Sequence, residues 1–236
     1  MPLQELNFND GALLLIDKPY GNISFGIVHQ LKKWTKAKIG HAGTLDPLAS
    51  GLLILCTGKW TKKLTELTGQ DKTYEGIICL GATTASFDLE NSPENFKDIS
   101  SLIDEKIIEA SKNFVGEIVQ YPPMHSAVKQ DGKRLYESAR AGEEIKIRPR
   151  TQHVFSFDIL KIENADVHFR LHCSSGTYVR SIANDMGALL NCGGYLKKLV
   201  RTKIGDFELQ HAYTMDEMRS FFGSAAKLTV IEPKSF

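Results

Sequence analysis

Gly40-His41-Ala42-Gly43-Thr44-Leu45-Asp46-Pro47-Leu48-Ala49-Ser50-Gly51 packs three glycines and a proline into twelve positions. No long helix or regular strand ladder runs through such a stretch. Glycine costs backbone entropy in either element, and proline gives no N–H and locks its own φ. The segment is therefore a tightly turned loop, and the chain on either side has to hold it. Apart from His41 and Asp46 the loop is small and apolar. On the residues alone Asp46 reads in two ways, as a loop cap, because Asp-Pro starts many turns, or as a functional carboxylate. His41 is open in the same way, between a satisfied loop histidine and a catalytic one.

Around this loop the patterning alternates between strand and helix. Residues 11–18 read as a strand stopped by Pro19. Ser24 is placed to cap an amphipathic helix to about Trp34, with Phe25, Val28, Leu31 and Trp34 on one stripe. Residues 61–67 suggest a second short helix and 73–80 a strand ended by Gly81. Residues 85–110 are loop and helix, and Tyr121-Pro122-Pro123-Met124 is an ordered loop. Strands are expected over 144–147, 151–163 and 167–173, the last two joined at Asn164-Ala165-Asp166. A helix follows over 178–190, ended by Gly193-Gly194, with a short helix near 215–222 and a strand over 227–231. Strands interleaved irregularly with helices predict an α+β fold with a mixed, mainly antiparallel sheet flanked by helices. No Gly/Ser/Pro-rich linker divides the chain, so a single continuous catalytic unit is expected.

Several common chemistries lack their residues. The longest apolar runs, 13–16 and 52–56, fall far short of the roughly 20 residues that a bilayer crossing needs. The first residues lack a basic stretch leading into an apolar one, so no signal peptide is expected. The four cysteines (Cys56, Cys79, Cys173, Cys192) have no C-x-x-C spacing. Together these point to a reducing cytoplasm and no membrane partner. Gly58-Lys59-Trp60-Thr61 lacks the Ser/Thr directly after Lys that a P-loop requires, and there is no G-x-G-x-x-G. His168 and His172 are four apart without an H-E-x-x-H, so no metal is expected. No serine sits in a G-x-S-x-G setting.

Net charge is +1 over 236 residues, which alone argues against a polyanionic partner. Its placement argues the other way. Residues 30–72, 129–150 and 180–203 together hold 20 Lys/Arg against 8 Asp/Glu, while residues 85–110 hold seven acids and two lysines. In or next to the basic segments lie Trp34, Trp60, Tyr74, Tyr136, Tyr178 and Tyr195. Cations interleaved with aromatics beside a glycine loop suit an anionic, base-bearing ligand, although any single basic run is equally a solvated face.

These residues resemble the TruB-type tRNA pseudouridine synthases. The Gly40–Gly51 segment is similar to that family's catalytic signature. Four further segments follow in the family's order: Asp17-Lys18-Pro19 with the Ser24 helix; Lys72-Thr73-Tyr74; Tyr121 to Lys129 with Arg134-Leu135-Tyr136; and Cys173-Ser174-Ser175-Gly176-Thr177-Tyr178-Val179-Arg180. The resemblance covers roughly residues 11–205 and implies the pseudouridine synthase catalytic fold there. Residues 206–236 are then a short extension, too short for the RNA-binding PUA domain many members carry.

The resemblance implies isomerisation of uridine to pseudouridine at position 55, in the T-arm of tRNA, without a cofactor. Asp46 would be the catalytic carboxylate, Arg180 its cationic partner, and Tyr74 the ring that stacks on the target uracil and assists proton transfer at C5. His41 would fill the space left by a flipped base, and Lys18 and Pro19 would support the floor of the site. Asp88, Tyr178 and Leu199 would line the pocket, or equally be a loop acid, a strand aromatic and a core leucine. The implied partner is tRNA, with no obligate protein partner, acting as a monomer. Two other readings remain open at this point: a non-catalytic RNA-binding or tRNA-folding protein, and an rRNA-directed synthase.

Overall fold

The computed structural model describes residues 7–123, 129–130, 133–134 and 148–223. The chain forms two compact units, residues 1–74 with 200–236 and residues 75–199.

In the first unit β1 (Leu13–Lys18) and β2 (Ile39–His41) both pair antiparallel with β3 (Ala49–Thr57). Every residue of β3 but Ser50 is buried. Both faces of the strand are covered, so the sequence shows a continuous apolar run instead of alternation. Odd and even positions still separate. Leu14, Ile16, Leu53 and Leu55 face a core built with Ile27, Val28 and Leu31 of α1 (Ser24–Thr35) and with Met218 and Phe221 near the chain's carboxyl end. Leu13, Leu15, Leu52, Ile54 and Cys56 face a second core with Leu67, Ile204 and Phe207. This period-2 partition is what a pleated strand imposes.

Helix α1 forms where expected, but two details differ. Its N-cap position is Ile23 and there is no side-chain cap. The buried stripe runs through Ser24, Ile27, Val28, Leu31 and Thr35, while Phe25 is 68% exposed. The Ser24 hydroxyl is used elsewhere, as described below. Residues 58–69 form a 3₁₀ turn, Gly58–Lys63, followed by α2 (Leu64–Gly69), in place of one short helix.

The second unit is built on β4 (Lys72–Leu80), whose first residues belong to the first unit, with α3 (Asp104–Lys112), β5 (Gly116–Gln120), the short pair β6 (Lys129–Gln130) and β7 (Lys133–Arg134), and the long hairpin β8 (Arg150–Glu163) and β9 (Asp166–Cys173). Strands run in the order β4-β9-β8-β5, with β9, β8 and β5 antiparallel. The β8–β9 turn puts Asn164 at φ 54°, a value asparagine tolerates. Phe157 and Phe169 meet edge to face at 5.5 Å in the core. Next come α4 (Val179–Leu189), β10 (Gly194–Ile204), which passes into the first unit at Val200, β11 (Phe207–Glu208) and α5 (Met215–Gly223).

The α+β class with a mainly antiparallel sheet is as expected. Strands β2, β3, β5 and β10 were not anticipated. The expected strands 144–147 and 227–231 lie outside the described residues, as do Met124–Val128 and Leu135-Tyr136. Among the described residues no helix is long and apolar enough to cross a membrane.

Candidate active site

The first unit carries Lys18, Pro19, His41, Asp46 and Tyr74; the second carries Asp88, Tyr178, Arg180 and Leu199.

In the first unit the Gly40–Gly51 loop leaves β2 and returns into β3. It begins with the Ala42 N–H donating to the Ile54 carbonyl at 2.9 Å. It closes with the Ala49 N–H donating to the Asp46 carbonyl at 3.1 Å. Asp46–Ala49 is thus a β-turn with Pro47 second, the position its fixed φ favours. Both chain neighbours of Asp46 are pinned. The Ser24 hydroxyl donates to the Leu45 carbonyl and accepts from the Leu45 N–H, each at 2.9 Å. The Pro47 carbonyl accepts from the Gly21 N–H at 2.9 Å and from Lys18 Nζ at 3.4 Å. Lys18 Nζ also donates to the carbonyls of Pro19 at 3.1 Å and Asn22 at 2.6 Å. The Asp17-Lys18-Pro19 turn therefore grips the loop on one side of Asp46 and the first residue of α1 grips it on the other. Asp46 itself is partly exposed.

Two cations are buried beneath this loop. Lys18 is 0% exposed and Arg201, on β10, is 1% exposed. Burial pushes the Lys18 ammonium down to about 8; the carboxylates of Asp46 and Asp17 work against this, and Arg201 adds to it. Arg201 Nε donates to the Leu52 carbonyl at 2.8 Å and Nη2 to the Gly43 carbonyl at 3.0 Å. His41 Nδ1 is buried with no hydrogen-bond partner among the described residues. Burial, then the Arg201 charge, pulls the imidazole below its usual value, and the Gly43 backbone opposes this. Tyr74 is buried near the start of β4.

In the second unit Arg180 opens α4 with its side chain 4% exposed. Its Nε stands 3.7 Å from Asp88 Oδ2, and Nη1 donates to the Ser86 carbonyl at 3.1 Å. Asp88 Oδ1 accepts from the Ser86 hydroxyl at 2.6 Å and from the Glu90 N–H at 3.0 Å. Phe87 between them has φ 64°, a conformation that strains a bulky residue. The Leu196 N–H, donating to the Phe87 carbonyl at 2.9 Å, holds it there. Asp88 is thus one half of a buried ion pair. The Tyr178 backbone is clasped at both polar groups by the Gln120 amide, at 2.9 and 3.1 Å, and Tyr178 precedes a helix instead of lying in a strand. Leu199 is 8% exposed in β10.

Sequence reasoning singled out Asp88 and Arg180 but not their pairing beside Ser86, and it did not single out Arg201 or Gln120. Arg201 is 149 positions from Leu52, and nothing local marks it as buried. Among the described residues no group of His, Cys, Asp and Glu is placed to hold a metal ion.

Residues 31–179 match the TruB family pseudouridylate synthase (N terminal domain), and residues 180–228 match the tRNA pseudouridylate synthase B C-terminal domain. Similar relatives include the tRNA pseudouridine synthase B of Flavobacterium johnsoniae, 49% identical over 86% of this chain and 92% of that one. That of Chloroherpeton thalassium is 49% identical over 89% of each. Among solved structures, one from a Cbf5-Nop10-Gar1 complex superposes with a TM-score of 0.73 at 30% identity, covering 94% of this chain; this chain spans 58% of its length. With one family pattern covering more than half of the chain and relatives at near-half identity along most of it, the chain belongs to the TruB family of pseudouridylate synthases.

Proposed function

We propose that this protein isomerises uridine to pseudouridine in tRNA, at position 55 of the T-arm, acting alone as a cytoplasmic monomer. The observation that carries this reading is 49% identity to a tRNA pseudouridine synthase B over 86% of the chain, the Gly40–Gly51 loop included.

The reaction rearranges its own atoms. The C1′–N1 bond breaks, the uracil turns while held, C5 bonds to C1′, the C5 proton leaves and N1 gains a proton. Asp46 is the group at the reacting centre, by attack on C1′, addition at C6 or removal of a ribose proton. Each of these needs an ionised carboxylate, and a loop braced at Leu45 and Pro47 gives that carboxylate a defined place. Arg180 supplies positive charge to the site and Tyr74 a ring for the uracil to stack on, with a phenol for the C5 proton. The target base has to leave its stack to be reached, and the His41 ring fills the space behind it. Lys18 and Pro19 support the loop, and Asp88, Tyr178 and Leu199 complete the pocket.

The test is a T-arm stem-loop carrying tritium at uridine C5. The wild-type protein is expected to release one equivalent of tritium from the position-55 uridine. Binding without release would leave an RNA-binding protein and overturn the enzymatic reading; release only from ribosomal RNA fragments would change the substrate.

A further inference from the structure

Arg201 lies outside all five motifs that carry the family resemblance, yet the Gly40–Gly51 loop is built around it. Its guanidinium ties together the carbonyls of Gly43, before Asp46, and Leu52, after it. Its backbone sets the other end of the loop. A Cβ on Gly51 would stand 2.4 Å from the Arg201 carbonyl oxygen, and Gly51 has φ +100°. Only glycine satisfies both conditions. The loop's closing glycine is thus there to admit Arg201.

A neutral side chain could bind two carbonyls. Burying a guanidinium to do so is costly in desolvation, and among the described residues Arg201 makes no ion pair. What it offers over a neutral side chain is a planar, rigid fork of donors that holds both carbonyls at fixed angles.

We infer that Arg201 is a positioning residue for Asp46: its two hydrogen bonds, to the Gly43 and Leu52 carbonyls, fix the path of the loop that carries the carboxylate. This rests on the reading of Asp46 as the reacting carboxylate.

The experiment compares Arg201→Lys and Arg201→Met with wild type in thermal unfolding, T-arm affinity and single-turnover tritium release. Arg201→Lys keeps the charge but not the two-armed geometry. It is expected to stay folded, to bind RNA within about threefold, and to slow turnover by about ten- to a hundredfold. Arg201→Met removes both donors, and its rate at saturating RNA should fall at least as far, with affinity again within about threefold. If Arg201→Met does not fold, the saturating rate of Arg201→Lys decides. A wild-type rate in Arg201→Lys, or losses in both variants that only follow the unfolded fraction, would overturn the proposal. Failure of the enzymatic reading looks different, since wild type itself would then release no tritium.

Discussion

Lys18 shows what a buried charge does to a protein's pH response. Its ammonium sits at zero exposure and donates to three carbonyls, yet its pKa falls to about 8 from an ordinary 10.5, chiefly because burial disfavours the charged form. Between about 8 and 10.5 the unfolded chain therefore holds a proton that the folded chain has released, so stability contributed by this group rises with pH across that window. Below pH 8 the native state carries the full cost of the buried charge, at most about 3 kcal/mol. Urea midpoints measured from pH 7 to 10.5 should show this rise in wild type, and Lys18→Met should flatten it. Equal slopes in the two proteins would remove Lys18 as its source. Lys18, His41 and Asp46 could be singled out as candidates because each lies inside a short motif whose order resembles a known family. Arg201 was not legible, because its burial is decided by the pairing of distant strands and leaves no local mark.

Helix α1 links the loop to the protein's basic surface. Its first residue, Ser24, holds both polar backbone groups of Leu45, and at about 1.5 Å per residue Lys36 lies about 18 Å further along the axis. The sequence marks this helix by its period but misplaces its inner face. Phe25 is large and apolar, so it reads as buried, yet the contact is made by Ile27 and Thr35. Strand β3 escaped for the opposite reason, since burial on both faces removes the alternation that identifies a strand. Toward its carboxyl end α1 presents His29, Lys32, Lys33 and Lys36 around one open groove of about 380 Å³. These lysines are exposed and make no ion pair among the described residues, whereas Lys59, Lys112, Lys161 and Lys197 are all paired with acids. Cations also suit a helix carboxyl end through its dipole, so the two explanations need separating. If the lysines meet RNA phosphates, changing Lys32, Lys33 and Lys36 together to Gln should lower the slope of log affinity against log salt by about two. The rate at saturating RNA should not change. An unaltered slope would leave these lysines as a dipole-matched, solvated face.

For the whole molecule, a net charge of +1 is a poor guide to the partner, because a basic surplus in three segments is offset by acids concentrated in residues 85–110. Family membership and the braced Asp46 loop converge on one chemistry. Of the residues proposed for it, Asp46, His41, Lys18 and Tyr74 belong to the first compact unit and Arg180, Asp88, Tyr178 and Leu199 to the second. Such a division hides from any reading of local sequence, since β4 and β10 each cross from one unit to the other within a single strand. The central claim is that Asp46 performs the reaction. Its most direct test is single-turnover tritium release from a C5-labelled T-arm by Asp46→Asn beside wild type, with affinity measured on the same RNA. Wild type is expected to release tritium stoichiometrically and Asp46→Asn to release none, with affinities within a few-fold of each other. Substantial release by Asp46→Asn would remove Asp46 from the reaction.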